Sequence, residues 1–140
     1  MRIYLDFDGV LHGVPYKKEA FEHLPAFEEV LRAHPRVEVV ITSSWREQFS
    51  LEEMRTWFSE DVRNQIIGVT PILPDEKRVQ EVRAHVKATG YRRRFIVIDD
   101  AAFEFPRNYP PLILCRTAQG LTDAEIGNLI SRLLQLSKSA

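Results

Sequence analysis

Short apolar runs rich in β-branched and aromatic residues alternate along the chain with segments of helical periodicity. The runs predict strands at residues 2–7, 37–42, 65–69, 95–99 and 112–116. Strands that alternate with helices are typical of a parallel sheet covered by helices on both faces. The pattern therefore predicts a three-layer, Rossmann-like α/β fold around a central, mainly parallel sheet.

Helical periodicity predicts three helices between these strands, at residues 20–34, 51–58 and 75–88. A last helix is predicted to begin after Leu121, where Thr122 can act as N-cap and Glu125 follows three positions later, a capping-box pattern. This helix should extend to Leu136. Its apolar positions predict the burial of Ile126, Leu129, Ile130, Leu133 and Leu134.

Acidic residues follow two of the predicted strands. Asp6 and Asp8 come at the end of the first strand, and Asp99 and Asp100 end the fourth. In open parallel sheets, ligands bind beyond the carboxyl ends of the strands, so these four carboxylates are expected at one edge. Like charges repel and their burial is costly, and a cation is the simplest compensation. Oxygen ligands predict a hard cation such as Mg²⁺.

The composition is that of a folded globular domain without a membrane span. The 140 residues include 19 Lys and Arg against 20 Asp and Glu, and 44% are hydrophobic, as in a folded globular domain. The single cysteine permits no internal disulfide, and no apolar stretch reaches the roughly 18 residues of a membrane span. No export signal is recognisable at the start. We therefore expect one domain over residues 1–140, in the cytoplasm and without a membrane partner.

The residues at the strand ends supply the groups that phosphoryl transfer requires. One aspartate can attack phosphorus, a second can act as acid and then as base, and a hydroxyl and a cation can hold the phosphoryl oxygens. Asp6 and Asp8 would share a face of a continuing strand, and Gly9 permits a sharp turn after them. Thr42, at the end of the second strand, is the candidate hydroxyl.

These motifs, in this order, resemble those of the haloacid dehalogenase (HAD) superfamily of phosphohydrolases. Its first motif, a hydrophobic strand followed by DxDG[TV], is matched by residues 5–10. Its second, a strand ending in Thr or Ser, is matched by Thr42, with Ser43 as the alternative frame. Its fourth, a strand ending in paired acids, is matched by residues 95–100.

The third HAD motif is a Lys or Arg upstream of the fourth, and either Lys77 or Arg78 can fill it. Three further phrases, at residues 43–46, 78–82 and 120–122, resemble the small HAD domains of the Swiss Army Knife RNA repair type. The resemblance spans nearly the whole chain.

The resemblance implies an Mg²⁺-dependent phosphohydrolase that works through an aspartyl-phosphate. Asp6 would attack the phosphoryl group, and Asp8 would protonate the leaving oxygen and then activate water. The metal ligands it implies are Asp6, Asp8 through its backbone carbonyl, and Asp99 or Asp100. The remaining candidates, for the phosphoryl oxygens or the rest of the substrate, are Thr42, Lys77, Arg78, Ser43, Gly9 and Arg46.

The segments between the motifs are too short for a substantial cap domain. Residues 10–37 must already hold a flap and a helix, and residues 45–77 must hold a helix, a strand and a connection. Substrate choice in the superfamily resides largely in such caps. An open site tolerates bulky substrates, so we expect a phosphorylated nucleic-acid end or another bulky phosphorylated substrate, unless a second subunit closes the site.

Two other classes of protein remain as alternatives. A receiver-type signalling domain should carry its phosphoacceptor at the end of the third strand, but here that strand ends Gly68-Val69-Thr70 without an acid. A catalytically silent HAD module that binds a partner is the other alternative, and the intact Asp6 and Asp8 disfavour it.

Three further features of the sequence are weighed as possible substrate contacts. Trp45 is interpreted as a packing residue rather than as a stacking platform for a base. The basic run at residues 92–94 is interpreted as a solvated turn rather than as a nucleic-acid contact. Among the histidines, His12 is the one close enough to the first motif to reach a substrate.

Overall fold

A parallel sheet forms the centre of the protein in the computed structural model, which describes residues 1–15 and 20–139. Its strands are β1 (Arg2–Leu5), β2 (Glu38–Ile41), β3 (Ile66–Val69), β4 (Phe95–Asp99) and β5 (Leu112–Leu114). They lie in the order β3-β2-β1-β4-β5, and every pairing is parallel. The predicted mainly parallel sheet is therefore confirmed, with β1 at its centre.

Helices cover both faces of this sheet. They are α1 (Leu24–Ala33), α2 (Leu51–Arg55), α3 (Arg78–Ala88) and α4 (Asp123–Ser139). Alternate residues of a strand point to opposite faces, so Ile3 packs in the larger core with α1, α2 and α4, whereas Tyr4 packs in the smaller core with α3. The layers confirm the predicted three-layer architecture.

Two helices begin later than predicted, and the backbone shows why. Phe21 has a φ of 62°, which is incompatible with a right-handed helix, so α1 begins at Leu24 instead of residue 20. Asp75 likewise has a φ of 69°, and Lys77 is extended as the N-cap residue of α3. Consequently α3 begins at Arg78 and not at residue 75.

The other bounds differ from the predicted ones mainly at carboxyl ends. The strand β1 ends at Leu5, two residues early, because the chain leaves the sheet where the polar residues begin, and β5 ends at Leu114, also two residues early. Helix α2 ends at Arg55, three residues early. The predicted start of α4 is confirmed, since the Thr122 backbone N–H donates to Glu125 Oε1 at 2.9 Å.

One prediction about α4 is wrong. Leu129 and Leu133 are buried as predicted, but Ile130 is 39% exposed and Leu134 is 51% exposed. The helix contacts the rest of the protein along a narrow stripe, and each of these two residues follows a buried one by about 100° around the helix axis. Their side chains therefore turn away from the core.

The connections after β1 and after β2 are built from short elements. Between β2 and β3 lie two 3₁₀ turns, at Ser44–Glu47 and Glu60–Gln65, and the short α2. The described residues between β1 and α1 form turns and an isolated bridge from Asp8 to His12. No helix in the described residues is long and apolar enough to cross a membrane.

Candidate active site

Three carboxylates meet where β1 and β4 end side by side. The two strands pair in register, with Leu5 opposite Ile98, so Asp6, the residue after β1, lies beside Asp99, the last residue of β4. Asp6 is 4% exposed and Asp99 is fully buried. One oxygen of each of these side chains and one of Asp100 lie within 4.8 Å of one another. The sequence predicted that four carboxylates converge at this edge, and three of them, Asp6, Asp99 and Asp100, meet there.

Arg78 supplies positive charge to this cluster from the first turn of α3. Its Nη1 lies 2.9 Å from Asp99 Oδ2 and 3.4 Å from Asp6 Oδ2. Its backbone N–H donates to Glu104 Oε2 at 2.6 Å, which fixes the start of the helix. Lys77 is exposed at the N-cap position. Of the two candidates for the basic residue, the structure brings Arg78 to the acids.

The charges of the cluster are incompletely balanced. Burial, and then the neighbouring Asp99, raise the pKa of Asp6 well above its ordinary value, while Arg78 opposes the shift. Burial also raises the pKa of Asp99, again against the influence of Arg78. Three carboxylates and one guanidinium leave two negative charges uncompensated when all are ionised. An all-oxygen donor set with this charge fits a divalent hard cation.

Within the described part of the chain, two buried polar atoms beside the cluster have no hydrogen-bond partner. They are Thr42 Oγ1, on a residue that is fully buried at the end of β2, and Arg78 Nε. A buried polar atom without a partner costs about 1–3 kcal/mol. A ligand with acceptor oxygens would recover this cost, so the two atoms fit the predicted phosphoryl site.

Gly9 allows the loop after β1 to approach the Asp100 side chain. Its φ is 73°, and a Cβ added there would lie 2.2 Å from Asp100 Oδ2. The same carboxylate oxygen accepts a hydrogen bond from Thr117 Oγ1 at 2.8 Å. The structure thus gives Gly9 a spacing role beside the acids, and its predicted contact with substrate stays a prediction.

The Asp8 side chain lies in a different environment from that of Asp6. It is 43% exposed, and its two oxygens are within hydrogen-bond distance of His12 Nε2, at 2.7 Å, and Trp45 Nε1, at 2.9 Å. Its carboxylate is not among the three that meet in the acidic cluster. A metal contact through the Asp8 backbone carbonyl stays a prediction, and the carboxyl group is left for acid and base chemistry.

Arg46 has a structural position that sequence reasoning missed. Its side chain is 4% exposed, forms an ion pair with Glu81 at 2.8 Å, and donates to the backbone oxygens of Thr42 and Ser43. It also donates to the oxygens of Thr70 and Pro71, after β3. The geometry therefore does not favour the predicted substrate contact, because the guanidinium is already used to tie the ends of β2 and β3 together.

Ser43 caps the 3₁₀ turn that follows β2. Its Oγ accepts a hydrogen bond from the Trp45 backbone N–H at 3.3 Å, and the residue is fully buried. Thr42 and Ser43 were the two alternative frames for the hydroxyl motif. Because the Ser43 hydroxyl has a partner and the Thr42 hydroxyl has none among residues 1–15 and 20–139, the geometry favours Thr42 as the phosphate ligand.

Comparison with known proteins identifies the family to which this site belongs. The family model for the HAD domain in Swiss Army Knife RNA repair proteins matches residues 2–126. The chain belongs to this family. No curated protein and no solved structure matches the chain. Membership places this HAD domain in a superfamily of phosphohydrolases and confirms the resemblance found from the motifs.

The sequence did not predict the hydrogen-bond contacts that His12 and Trp45 make with the Asp8 carboxylate in this HAD domain. A sequence signal existed for each, since His12 follows Asp8 by four residues and the second strand runs directly into Trp45. Their rings belong to an aromatic cluster with Phe7, Phe21, Phe49 and Trp57. The interpretation of Trp45 as a packing residue is thus incomplete, because its indole N–H also contacts the site.

Cation binding should stabilise this HAD domain more strongly as the pH rises. Because the pKa values of Asp6 and Asp99 are raised, the folded state keeps protons that the unfolded state has already lost. The stability that these two groups contribute is therefore lost as the pH rises from about 4 through their folded pKa values. A divalent cation replaces those protons. We expect millimolar Mg²⁺ to raise the melting temperature over that in EDTA by about 5 °C, with a larger difference at pH 8 than at pH 5.

The control for this measurement is a matched substitution outside the cluster. Asp99→Asn and Asp100→Asn should each reduce the Mg²⁺-dependent difference, whereas Asp123→Asn, at an exposed position in the first turn of α4, should leave it unchanged. Identical melting curves in Mg²⁺ and EDTA across the pH range would show that the acids do not form a cation site.

Proposed function

We propose that the protein is an Mg²⁺-dependent phosphohydrolase that works through an aspartyl-phosphate on Asp6. The observation that carries this proposal is the convergence of Asp6 with Asp99 and Arg78 at the carboxyl end of the sheet in a HAD domain. A buried carboxylate between a second acid and a guanidinium supplies both a nucleophile and a binding site for a phosphoryl group.

In the first step, an Asp6 carboxylate oxygen attacks phosphorus. The bond between phosphorus and the leaving oxygen breaks, and Asp8 gives its proton to that oxygen. Arg78 and the Thr42 hydroxyl hold the phosphoryl oxygens, which satisfies the two buried atoms that have no partner among the described residues. Bound Mg²⁺, held by Asp6, the Asp8 backbone carbonyl and Asp99 or Asp100, would neutralise charge on the transferring group.

In the second step, a water molecule attacks the phosphorus of the aspartyl-phosphate. Asp8, now ionised, takes a proton from that water, the bond from Asp6 to phosphorus breaks, and inorganic phosphate leaves. Asp6 returns as a carboxylate and Asp8 returns protonated, so the cycle is closed. No step requires an oxidant, a reductant or a second substrate other than water.

The two aspartates have environments that suit their different roles. Asp6 is buried beside Arg78; burial raises its pKa, the guanidinium opposes that rise, and a bound cation would further favour the ionised nucleophile. Asp8 is more exposed and lies outside the acidic cluster, where it can reach solvent water. Different surroundings for neighbouring acids allow one to attack while the other transfers protons.

The substrate we propose is a phosphorylated nucleic-acid end or a phosphorylated group of comparable bulk. The support is the small size of the described segments around the site, which are short turns and a five-residue helix. A site bordered by such short segments offers few contacts to the remote part of a small substrate, and remote binding energy is what lowers the barrier. A larger substrate can contact the surrounding surface.

We therefore expect phosphorylated oligonucleotides to have a kcat/KM at least about tenfold higher than that of the corresponding mononucleotides. The advantage should shrink as salt rises if contacts to backbone phosphates supply it. The measurement is phosphate release from oligonucleotides of increasing length, each with its phosphate at the 5′ or the 3′ end. Equal or higher efficiency on mononucleotides, by protein shown to be monomeric, would refute the bulky substrate and leave the phosphohydrolase proposal intact.

A further inference from the structure

The Asp8 carboxyl group accepts a hydrogen bond on each of its oxygens. His12 Nε2 lies 2.7 Å from Oδ1, and Trp45 Nε1 lies 2.9 Å from Oδ2. The indole N–H can only donate. Trp45 is 37 residues away in the sequence, so tertiary structure brings it to this carboxylate. Both oxygens of a side chain that is 43% exposed are thus held from the protein side.

The direction of the histidine hydrogen bond follows from the other ring nitrogen. The Phe21 backbone N–H donates to His12 Nδ1 at 3.1 Å, so this nitrogen carries a lone pair. In the neutral imidazole the proton then lies on Nε2, which donates to Asp8. His12 is fully buried, and this arrangement uses both of its nitrogens. The backbone of one loop therefore sets the tautomer that holds the carboxyl group.

Both donors are themselves fixed by packing. The Phe21 ring lies 5.2 Å from the His12 ring and 5.1 Å from the Trp45 ring, so one side chain packs against both. The turn that carries Trp45 is capped by Ser43. Asp8 can therefore be held in one orientation although nearly half of its side chain is exposed to solvent.

We propose that His12 and Trp45 are positioning residues that orient the Asp8 carboxyl group for proton transfer to and from the substrate. The inference rests on the proposed function, and it adds two residues to the mechanism. Each donor occupies one lone pair of a carboxyl oxygen, and the remaining lone pairs are held in a fixed direction for the transferred proton. Orientation of this kind governs rate because small misplacements of a catalytic group reduce turnover strongly.

The test compares leaving groups that differ in their need for a proton. The alkoxide of an alkyl phosphate needs a proton from an acid in order to leave, whereas p-nitrophenolate leaves without one. The kcat/KM value reports the steps up to departure of the leaving group. In Trp45→Phe and in His12→Phe, we expect kcat/KM for the alkyl phosphate to fall about 10–100-fold. For p-nitrophenyl phosphate the change in kcat/KM should stay below about threefold.

Two further variants separate positioning from packing. His12→Gln keeps an N–H donor near the Nε2 position and should recover most of the loss on the alkyl phosphate. Trp57→Phe alters the same aromatic cluster, 5.5 Å from the Trp45 ring, and should change neither substrate. A loss of equal size on both substrates, no loss on either, or an equal effect of Trp57→Phe would overturn the inference.

A spectroscopic measurement on Asp8→Ala tests the geometry without turnover, so it does not depend on a folded His12 variant. The chain has two tryptophans, so Trp45→Phe assigns the two indole N–H signals in a ¹⁵N spectrum. In Asp8→Ala, the Trp45 indole proton should shift upfield and exchange faster, and the Trp57 signal should not move. An unchanged Trp45 signal would overturn the inference. Failure of the proposed function is distinct, because wild-type protein would then release phosphate from neither substrate.

Discussion

Asp6→Asn should lower kcat at least about 10³-fold, because an amide cannot attack phosphorus to form the acyl phosphate. The fold should survive, since Asn can still accept the hydrogen bond that the Phe7 backbone N–H donates to Asp6 Oδ1 at 2.8 Å. Loss of a charge beside Asp99 also relieves repulsion in the metal-free protein. The measurement is phosphate release together with the melting temperature of each purified variant.

The matched control is Asp123→Asn, which makes the same chemical change at an exposed position in α4 and should leave kcat unchanged. Wild-type kcat in a folded Asp6→Asn protein would refute the nucleophilic role of Asp6. A loss of the same size in both variants would show that the assay reports charge or stability and not chemistry.

Arg78→Met should lower kcat/KM about 10²–10³-fold, because the guanidinium is the cationic side chain that the described structure brings to Asp6 and Asp99. It should also lower stability in EDTA, since removing one partner of a buried ion pair typically costs about 3–5 kcal/mol. Mg²⁺ should restore part of that stability by supplying positive charge to the same carboxylates.

Lys77→Met is the control, because Lys77 adjoins Arg78 in the sequence but is exposed at the N-cap position of α3. It should change kcat/KM less than about twofold. The reverse result, a large loss in Lys77→Met and none in Arg78→Met, would assign the phosphate-binding role to Lys77 and contradict the geometry.

Much of the sheet could be predicted from the sequence because its strands are buried apolar runs. The fourth strand was predicted with its exact bounds, 95–99, and the acids that follow β1 and β4 could be placed at one edge because parallel strands end together. Helix starts were less predictable. They depend on single residues in the left-handed region, Phe21 and Asp75. Phe gives no signal for that conformation, and Asp is enriched in it without requiring it.

The choice between Lys77 and Arg78 could not be made from the sequence. Both precede the same helical pattern, and the decision depends on a difference of one residue in where α3 begins. Once Lys77 is the extended N-cap residue, Arg78 starts the helix and reaches the acids. The start of a helix is the part of its pattern that periodicity defines least well.

The structural use of Arg46 and the partners of Asp8 were also beyond the sequence. An arginine directly after a strand-end motif has the residue type of a phosphate ligand, but its ion pair with Glu81 depends on how α3 packs. The contact of Trp45 with Asp8 likewise depends on the turn after β2 lying over the loop after β1. Such pairings are set by tertiary structure and leave no local periodicity.

The covalent intermediate provides the most direct test of the mechanism. Wild-type protein with Mg²⁺ would be mixed in excess with a ³²P-labelled phosphorylated oligonucleotide and quenched in acid during a single turnover. The account predicts transient label on the protein, mapped to a peptide that contains Asp6, and no such label in Asp6→Asn. Release of phosphate by the wild type without protein-bound label at any time, or label retained in Asp6→Asn, would contradict it.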